Sequence, residues 1–444
     1  MARAKKEAAL TPEERLQAAL VPDWEWPYKL PENWCWTTVG AINQYVGISA
    51  DPTKAKNKTF ELYSVPSSAD NYPEIVLGAD IGSTKQSVKK GDVLLCKINP
   101  RINRVWKVSK YTDHSLLASS EWIVIRNSGL ISNYLMWCFR SPYFRGYMLS
   151  NVSGVGGSLM RAQPKFVQGY PVPVPPLAEQ QRIVDRIESL FSKLDEAKEK
   201  AQAVVDSFET RKAAILHKAF TGELTAKWRE EHGVSIDNWK TTRFDSVAAI
   251  RSNLVDPAEY QSFPHIAPDN IEKKTGVLLE YHTIAEDGVT SGKHRFYSGQ
   301  ILYSKIRPYL SKAVVVDFDG LCSADMYPIE AYQNARCLWY YMLSDEFLLQ
   351  ASTAGSRSVL PKINQKELSA LTVHLPTNDR EQEEIARILD ELFDKEQQTK
   401  EAAEVVLDQI DLMKKSILAR AFRGELGTND PSEESAVELL KQIF

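Results

Sequence analysis

The 444-residue chain has little of what a disulfide-bonded, zinc-binding or membrane-spanning protein needs. Its five cysteines are odd in number and include no CxxC pair, so neither a disulfide framework nor a structural zinc site is indicated. No run approaches the roughly 18–20 apolar residues that span a bilayer. The N-terminal sequence MARAKKEAAL lacks the apolar core of a signal peptide. We therefore expect a soluble, cytoplasmic protein with no membrane partner.

The chain also lacks an excess of either charge. It has 54 lysines and arginines against 58 aspartates and glutamates, for a net charge of −4. Charged residues make up 25% and hydrophobic residues 43% of the sequence, which is typical of globular proteins and excludes a wholly disordered chain, a fibre or a polycation. Any basic surface for nucleic acid must therefore be local.

Sequence motifs of catalysis are missing as well. There is no SPPY- or NPPY-like tetrapeptide for base methylation, no FxGxG loop for S-adenosylmethionine and no HExxH. The nearest phosphate loop, GVTSGK at 288–293, is one residue too short for a Walker A loop, and His294 replaces its Ser or Thr. The seven histidines show no metal-ligand spacing. We predict no catalytic residue and no metal site, although an active site dispersed along the sequence stays open.

The most informative feature is an internal repeat of about 200 residues. The sequence FTGEL at 220–224 recurs as FRGEL at 422–426, and EQ at 179–180 recurs as EQ at 381–382, both 202 residues later. GDVLLCKINP at 91–100 matches GQILYSKIRP at 299–308, 208 residues later. The matches keep their order, so one unit is written twice.

Each copy combines a mixed globular part with a long helix. Short β-branched and aromatic runs such as EWIVIRN alternate with apolar helical segments, which indicates an α+β part of roughly 140 residues, large enough for its own core. The PVPVPP segment at 171–176 is predicted to be a stiff connector that ends any strand. The predicted organisation is an N-terminal extension with a short helix (1–29), a first globular part (30–176), a long helix and linker (177–235), a second globular part (236–378), a second long helix (379–426) and a C-terminal tail helix (427–444).

Apolar residues of both long helices alternate at spacings of four and three, which is typical of a coiled coil. Each helix is expected to run about 40 residues, or roughly 60 Å. Pairing two copies about an approximate twofold axis makes them antiparallel, although separate burial of each helix is the simpler alternative. The predicted seam is Ile183, Ile187, Leu190, Leu194, Ala197, Ala201, Val204 and Phe208 in the first helix, and Ile385, Leu389, Leu392, Glu396, Thr399, Ala403, Val406, Ile410, Met413 and Ile417 in the second.

Two registers suit these seams. Arg211 lies opposite either Leu389 or, one heptad away, Glu396. We favour Glu396, because this register pairs two charges that would otherwise face apolar groups, and a polar seam pair fixes register in coiled coils.

Basic residues cluster at the same place in both copies. Between positions 85 and 110 there are eight lysines and arginines and one aspartate, and between 293 and 312 there are five and no acid. Cations can neutralise phosphates, and Arg and Asn can bind base edges. The alternative is a solvated hairpin balanced by acids from elsewhere. The predicted DNA-binding residues are Lys85, Lys89, Lys97, Asn99, Arg101, Arg104 and Lys107 in the first copy, and Arg295, Lys305, Arg307, Tyr309 and Lys312 in the second.

A glycine- and serine-rich loop is the second candidate. It spans 153–158, followed by Arg161 and Lys165, and its counterpart spans 355–358, followed by Lys362. Its glycines would let backbone N–H groups approach a phosphate. An ordinary loop explains it equally well. Arg161, Arg357 and Lys362 complete the set of predicted DNA-binding residues.

The two globular parts, the two long helices and the motifs PPLAEQQRIVDRIE, RKAAILHKAFTGELTAKWR and GD(V/I)L-x-x-(K/R)-I-x-P resemble the specificity subunits of type I restriction-modification systems. The resemblance covers nearly the whole chain. It implies two target recognition domains that bind the two halves of a bipartite DNA sequence, and paired helices that set the gap. The two parts differ in sequence, so the target should be asymmetric.

The same resemblance implies partners: double-stranded DNA, two methyltransferase subunits, and restriction subunits with motor and nuclease activity. S-adenosylmethionine, ATP and Mg would belong to those partners, so we expect no cofactor in this chain and no catalysis by it alone. Three alternatives stay open: a specificity subunit of a methylation-only system, a coiled-coil scaffold that binds proteins, and an enzyme with a dispersed site.

Overall fold

The computed structural model describes residues 11–154, 160–354 and 361–443. The chain divides into two compact units, the first formed by Met1–Lys200 with Val406–Phe444 and the second by Ala201–Val405. Each unit contains one globular part, the beginning of the long helix that follows it, and the end of the other long helix. The predicted α+β class, with two globular parts and two long helices, is confirmed.

The first unit has its globular part built on two main sheets. A five-stranded sheet has the order Ser49–Ala50, Lys85–Ser87, Ser115–Ala118, Thr59–Tyr63 and Glu74–Leu77, and a three-stranded sheet has the order Val105–Lys107, Val93–Cys96 and Trp122–Ile125. Two two-stranded sheets pair Cys35–Thr38 with Pro171–Val174, and Val152–Ser153 with Arg161–Ala162. Its shorter helices are Pro12–Ala19, Val39–Ile42, Ser132–Arg140, Pro142–Ser150, Pro164–Val167 and Ala436–Ile443.

The second unit repeats this arrangement. Its five-stranded sheet has the order Leu254–Val255, Lys293–Phe296, Gly320–Cys322, Pro264–Ile266 and His282–Thr283, and a four-stranded sheet has the order Ala248–Ile250, Met326–Ala331, Ile301–Ser304 and Ala313–Val315. A two-stranded sheet pairs Trp239–Arg243 with Thr372–Pro376. Its shorter helices are Ala226–His232, Ala335–Met342, Asp345–Ala354 and Gln365–Ala370. Each five-stranded sheet has one parallel pair at the same place, so the sequence repeat is also a repeat of topology.

The segment at 171–176 corrects the prediction of a connector. Pro171–Val174 is a β-strand that pairs antiparallel with Cys35–Thr38, with Pro173 opposite Trp36. Proline cannot donate to a ladder, but a two-stranded sheet has an outer edge on each strand where no donor is needed. Thr372–Pro376 forms the equivalent strand in the second unit, so the strand does not depend on the PVPVPP sequence.

The two long helices differ in continuity. The second is one helix, Asp379–Ala421, of 43 residues. The first is divided at Ser207 into Leu177–Asp206 and Phe208–Phe220, where an unbroken helix had been predicted. The Ser207 hydroxyl donates to the carbonyl of Ala203 at 2.6 Å, and such back-bonding from Ser competes with helical geometry and bends helices.

The long helices pair antiparallel within each unit. In the first unit Lys414 contacts Asp195, and Lys198 pairs with Asp411 at 3.3 Å, so the partner's number falls as the residue number rises. In the second unit Arg211 Nε donates to Glu396 Oε2 at 2.7 Å. This contact confirms the register that places Arg211 opposite Glu396. Both side chains are about a quarter to a third exposed, so the pair contributes more to register than to stability.

Most of the predicted seam is covered, but not all of it. Ile183, Ile187, Ala201 and Phe208 are buried in the first helix, and Ile385, Leu389, Ala403 and Ile410 in the second, with Leu190, Leu194, Val204, Leu392 and Ile417 partly buried. Val406 is 39% exposed, and Ala197, Thr399 and Met413 are also exposed, so their prediction as seam residues is wrong. The seam passes through Leu407 instead of Val406. Apolar residues stand at both positions, so periodicity alone could not choose between them.

The repeated Glu-Gln pair at the start of each long helix is fully covered. Glu381 accepts hydrogen bonds from Thr225 and Arg229, which follow the first long helix, and from Asn238 and Trp239. Glu179 accepts from Arg182 and from Thr428, which follows the second long helix. Gln180 and Gln382 each donate to the carbonyl of a proline that precedes the helix. In each unit, a buried glutamate at the start of one long helix therefore binds the segment that follows the other long helix.

The register predicts a specific crosslink. With the native cysteines replaced, Arg211→Cys combined with Glu396→Cys should oxidise to a disulfide efficiently, because the two positions face each other. The matched control combines Arg211→Cys with Leu389→Cys, two turns away on the same helix. Mobility on non-reducing gels measures both. Faster crosslinking of 211 to 389 than of 211 to 396 would contradict the register.

Loss of the Glu381 carboxylate should destabilise the chain. Burial alone would raise the pKa of Glu381, but hydrogen bonds from Asn238, Arg229, Thr225 and Trp239 outweigh it and hold the pKa below its usual value. Glu381→Ala leaves Arg229, whose side chain is 11% exposed, without its acid, and should cost about 3–5 kcal/mol in the free energy of unfolding.

Urea denaturation measures this loss, with Glu383→Ala as the control at an exposed neighbouring position. Because the pKa is lower in the folded state, the contribution of Glu381 is present above the unfolded value near pH 4.3 and is lost as the pH falls below it. A loss for Glu381→Ala no larger than that for Glu383→Ala would contradict the account.

Candidate nucleic-acid interface

The two basic clusters occupy equivalent places in the two units. In each, an inner strand, Val93–Cys96 or Ile301–Ser304, leads into a single turn of 3-10 helix, Pro100–Ile102 or Pro308–Leu310. A residue with left-handed backbone stands on each side of each turn. These residues are Asn99 (φ 46°), Asn103 (φ 53°), Arg307 (φ 49°) and Ser311 (φ 46°). We call 99–103 and 307–311 the basic turns.

Each basic turn is joined to the segment after the glycine- and serine-rich loop. Asn99 N–H donates to the carbonyl of Met160 at 2.8 Å, and Ile98 forms a β-bridge with Arg161. Arg307 N–H donates to the carbonyl of Pro361 at 2.7 Å, and Ile306 bridges Lys362. The structure thus brings the two candidate regions of the sequence together. Residues 155–158 of the first loop and the whole of 355–358, including Arg357, lie outside the described residues.

An ion pair recurs at this junction in both units. Arg161 pairs with Glu121 at 3.2 Å, and Lys362 pairs with Asp325 at 3.2 Å. Lys305 also lies 3.8 Å from Asp325 and donates to the carbonyl of Ala324. These predicted DNA-binding cations are therefore partly neutralised by acids of the protein, and they also hold the junction together.

Other predicted cations are engaged by the fold. Lys312 is 14% exposed and donates to the carbonyl of Pro268 at 2.7 Å. Lys107 donates to Asn133. Arg295 lies over the ring of Tyr297 at 4.8 Å and near two further aromatic rings. Lys85 donates to Ser83, and burial lowers its pKa. These contacts reduce the freedom of the four side chains to meet a phosphate.

The remaining predicted residues are more available. Lys89, Arg101, Arg307 and Tyr309 are exposed, and Lys97, Asn99 and Arg104 are partly buried. Among residues 11–154, 160–354 and 361–443, no ion pair includes Arg101 or Arg307. Each basic turn therefore carries one exposed arginine that no acid of the described residues neutralises.

Sequence reasoning missed two features of this surface. It did not predict the neutralising acids Glu121 and Asp325, each of which immediately precedes a strand, Trp122–Ile125 or Met326–Ala331. It also did not predict the left-handed residues. Asn99 and Asn103 offered a signal, since Asn tolerates left-handed backbone better than most residues, but Arg307 and Ser311 offered none.

The structure offers little for metal or thiol chemistry. Within the described ranges, no three His, Cys, Asp or Glu side chains are placed to hold a metal ion, and no described helix is long and apolar enough to cross a membrane. All five cysteines are buried. Burial raises the pKa of the Cys35 thiol to about 12, which disfavours the reactive thiolate.

Comparison with known proteins identifies the family. Residues 236–406 match the type I restriction modification DNA specificity domain. The EcoDI specificity subunit of Escherichia coli, a type I restriction enzyme subunit, is 35% identical over 370 residues, covering 77% of this chain and 82% of that one. The EcoKI specificity subunit of Escherichia coli strain K12 is 25% identical and covers 72% and 73%.

A solved structure supports the fold. The HsdS subunit from Thermoanaerobacter tengcongensis superposes with a TM-score of 0.63 at 20% identity, covering 90% of this chain and all of that one. At that identity the likeness concerns the fold alone. Together with the EcoDI match over most of both chains, these findings show that the chain belongs to the family of type I restriction enzyme specificity subunits.

Proposed function

We propose that this chain binds an asymmetric, bipartite DNA sequence and directs methyltransferase and restriction subunits to it. The observation that carries the proposal is the recurrence of one basic turn in two units with different exposed side chains. Phosphate contacts position a protein on DNA, whereas base contacts specify the sequence. Two similar frameworks with different side chains would therefore bind two different half-sites.

The gap between the half-sites would be set by the paired helices. The second long helix runs 43 residues without a break, which corresponds to roughly 65 Å. The register is fixed by charged pairs in both units. Such a spacer would hold the two half-sites at one fixed distance along the DNA.

Catalysis would belong to the partners. In this proposal two methyltransferase subunits bring S-adenosylmethionine, and the restriction subunits bring ATP and Mg. This chain contributes DNA contacts and docking surface only.

Selection from random DNA tests the proposal. The chain, purified with the methyltransferase of its host, is mixed with duplexes of randomised sequence, and the retained duplexes are sequenced. We expect two different short half-sites at one fixed gap. A protein-binding scaffold would enrich no motif, and a continuous or palindromic motif would contradict the bipartite asymmetric target.

Shortening both helices should shorten the gap. Deletion of one heptad from each, residues 198–204 and 404–410, keeps the seam in phase and removes roughly 10 Å of helix. The selected gap should shrink by no more than about three base pairs, given 3.4 Å per base pair, with unchanged half-sites. A matched pair of exposed substitutions, Glu199→Gln and Glu404→Gln, serves as the control. An unchanged gap would show that something else sets the separation.

Arg307 should contribute more to DNA binding than Lys305 does. Arg307 is exposed and free of ion pairs within the described part of the chain, whereas Lys305 is close to Asp325. Arg307→Ala should weaken binding and, if the guanidinium contacts phosphate, lower the salt slope by about one unit. Lys305→Ala should change the slope less. Titration of both complexes with salt measures this, and equal effects would contradict the role of Asp325 as a neutralising partner.

A further inference from the structure

The basic turns have an unusual backbone. Six non-glycine residues in the described part of the chain have a positive φ, and four of them are the first and last residues of the two basic turns. L-residues adopt this conformation rarely, and it persists only where the surroundings impose it. Its recurrence in two copies with different sequences indicates that the shape of the turn is needed.

Hydrogen bonds hold each turn in this shape. Asn103 N–H donates to the carbonyl of Pro100 at 3.1 Å, and Ser311 N–H donates to that of Pro308 at 2.9 Å. In the first unit the Asn103 side chain also donates to the carbonyl of Arg140, and Arg145 donates to that of Arg101. The turn is therefore ordered before any ligand binds, so it can present a side chain at low entropic cost.

Comparison of the two copies separates framework from variable positions. Lys, Ile and Pro stand at 97, 98 and 100 and again at 305, 306 and 308. The residue after the proline differs, since it is Arg101 in the first unit and Tyr309 in the second, and both are exposed. By contrast, position 99 is partly buried in the first unit, and Ser311 is buried in the second. Within the basic turns, the position of Arg101 and Tyr309 is therefore the only one that is exposed in both units and carries a different type of side chain in each.

We propose that Arg101 and Tyr309 are the equivalent specificity-determining residues of the two half-sites, each contacting bases from the tip of its basic turn. The inference rests on the proposed function. A phosphate contact is the same for every sequence and would be served by the same residue in both copies. Arg can donate two hydrogen bonds to one guanine edge. Tyr lacks that fork and instead offers a hydroxyl and an aromatic face, so it would favour a different base.

Exchange of the two residues tests this in one chain. Arg101→Tyr and Tyr309→Arg are made separately, and each complex with the methyltransferase is given the random duplex pool. Arg101→Tyr should lower discrimination at one or two adjacent base pairs of one half-site by roughly tenfold or more and leave the other half-site intact. Tyr309→Arg should change only the other half-site. Each variant is thus the control for the other.

A conservative variant separates base contact from charge. Arg101→Lys keeps the positive charge but loses the planar fork. The proposal expects it to lose the same preference as Arg101→Tyr while affinity for non-specific duplex is kept. Retention of the full motif by Arg101→Lys would assign Arg101 to phosphate and overturn the inference.

The outcomes also distinguish this inference from the proposed function. Failure of the unaltered complex to enrich any motif would contradict the proposed function. Enrichment of one bipartite motif by the unaltered complex and by both exchange variants would leave the proposed function standing and overturn the inference about positions 101 and 309.

Discussion

The fold depends on a buried carboxylate at the start of each long helix. Glu381 binds Thr225 and Arg229 from the chain that follows the first long helix, and Glu179 binds Thr428 from the chain that follows the second. Neither copy of the repeat can therefore complete its unit alone. Because each unit needs a segment from the other copy, the boundaries between the compact units fall within the long helices and not at the ends of the repeats.

Both carboxylates bind the segment that follows the other long helix, but their surroundings differ. Burial raises the pKa of Glu179 despite hydrogen bonds from Thr428 and Arg182, and the nearby Glu433 adds to the rise. Glu381 accepts hydrogen bonds from four donor side chains, and these outweigh the effect of burial, so its pKa is lowered. Glu381 therefore loses its contribution to stability as the pH falls through its lowered pKa, whereas protonation of Glu179 does not cost stability in that way.

The sequence contained the repeat, the helix pair and its register, because these depend on spacing and on a pair of opposite charges. Arg211 and Glu396 would each have lain against apolar groups in the other register, which favoured the contact that the structure has. The strand Pro171–Val174 was missed because tolerance of proline depends on whether a sheet edge is free, a tertiary property. The break at Ser207 was missed because apolar periodicity carries no information about one side-chain hydroxyl. The exposure of Val406 was missed because the same periodicity does not choose between adjacent apolar residues.

The sequence predicted only part of the candidate site. Clusters of Lys and Arg showed where the basic turns lie, but not which cations are neutralised, since Glu121 and Asp325 are distant in sequence from the lysine and arginine that they pair with. The left-handed residues were also invisible, because Arg and Ser carry no preference for that backbone. The most direct test of the central claim, two different DNA-binding units in one chain, is methylation mapping of host DNA with and without this gene. The account predicts loss of methylation at one asymmetric, bipartite motif. Unchanged methylation, or loss at a continuous or palindromic motif, would contradict it.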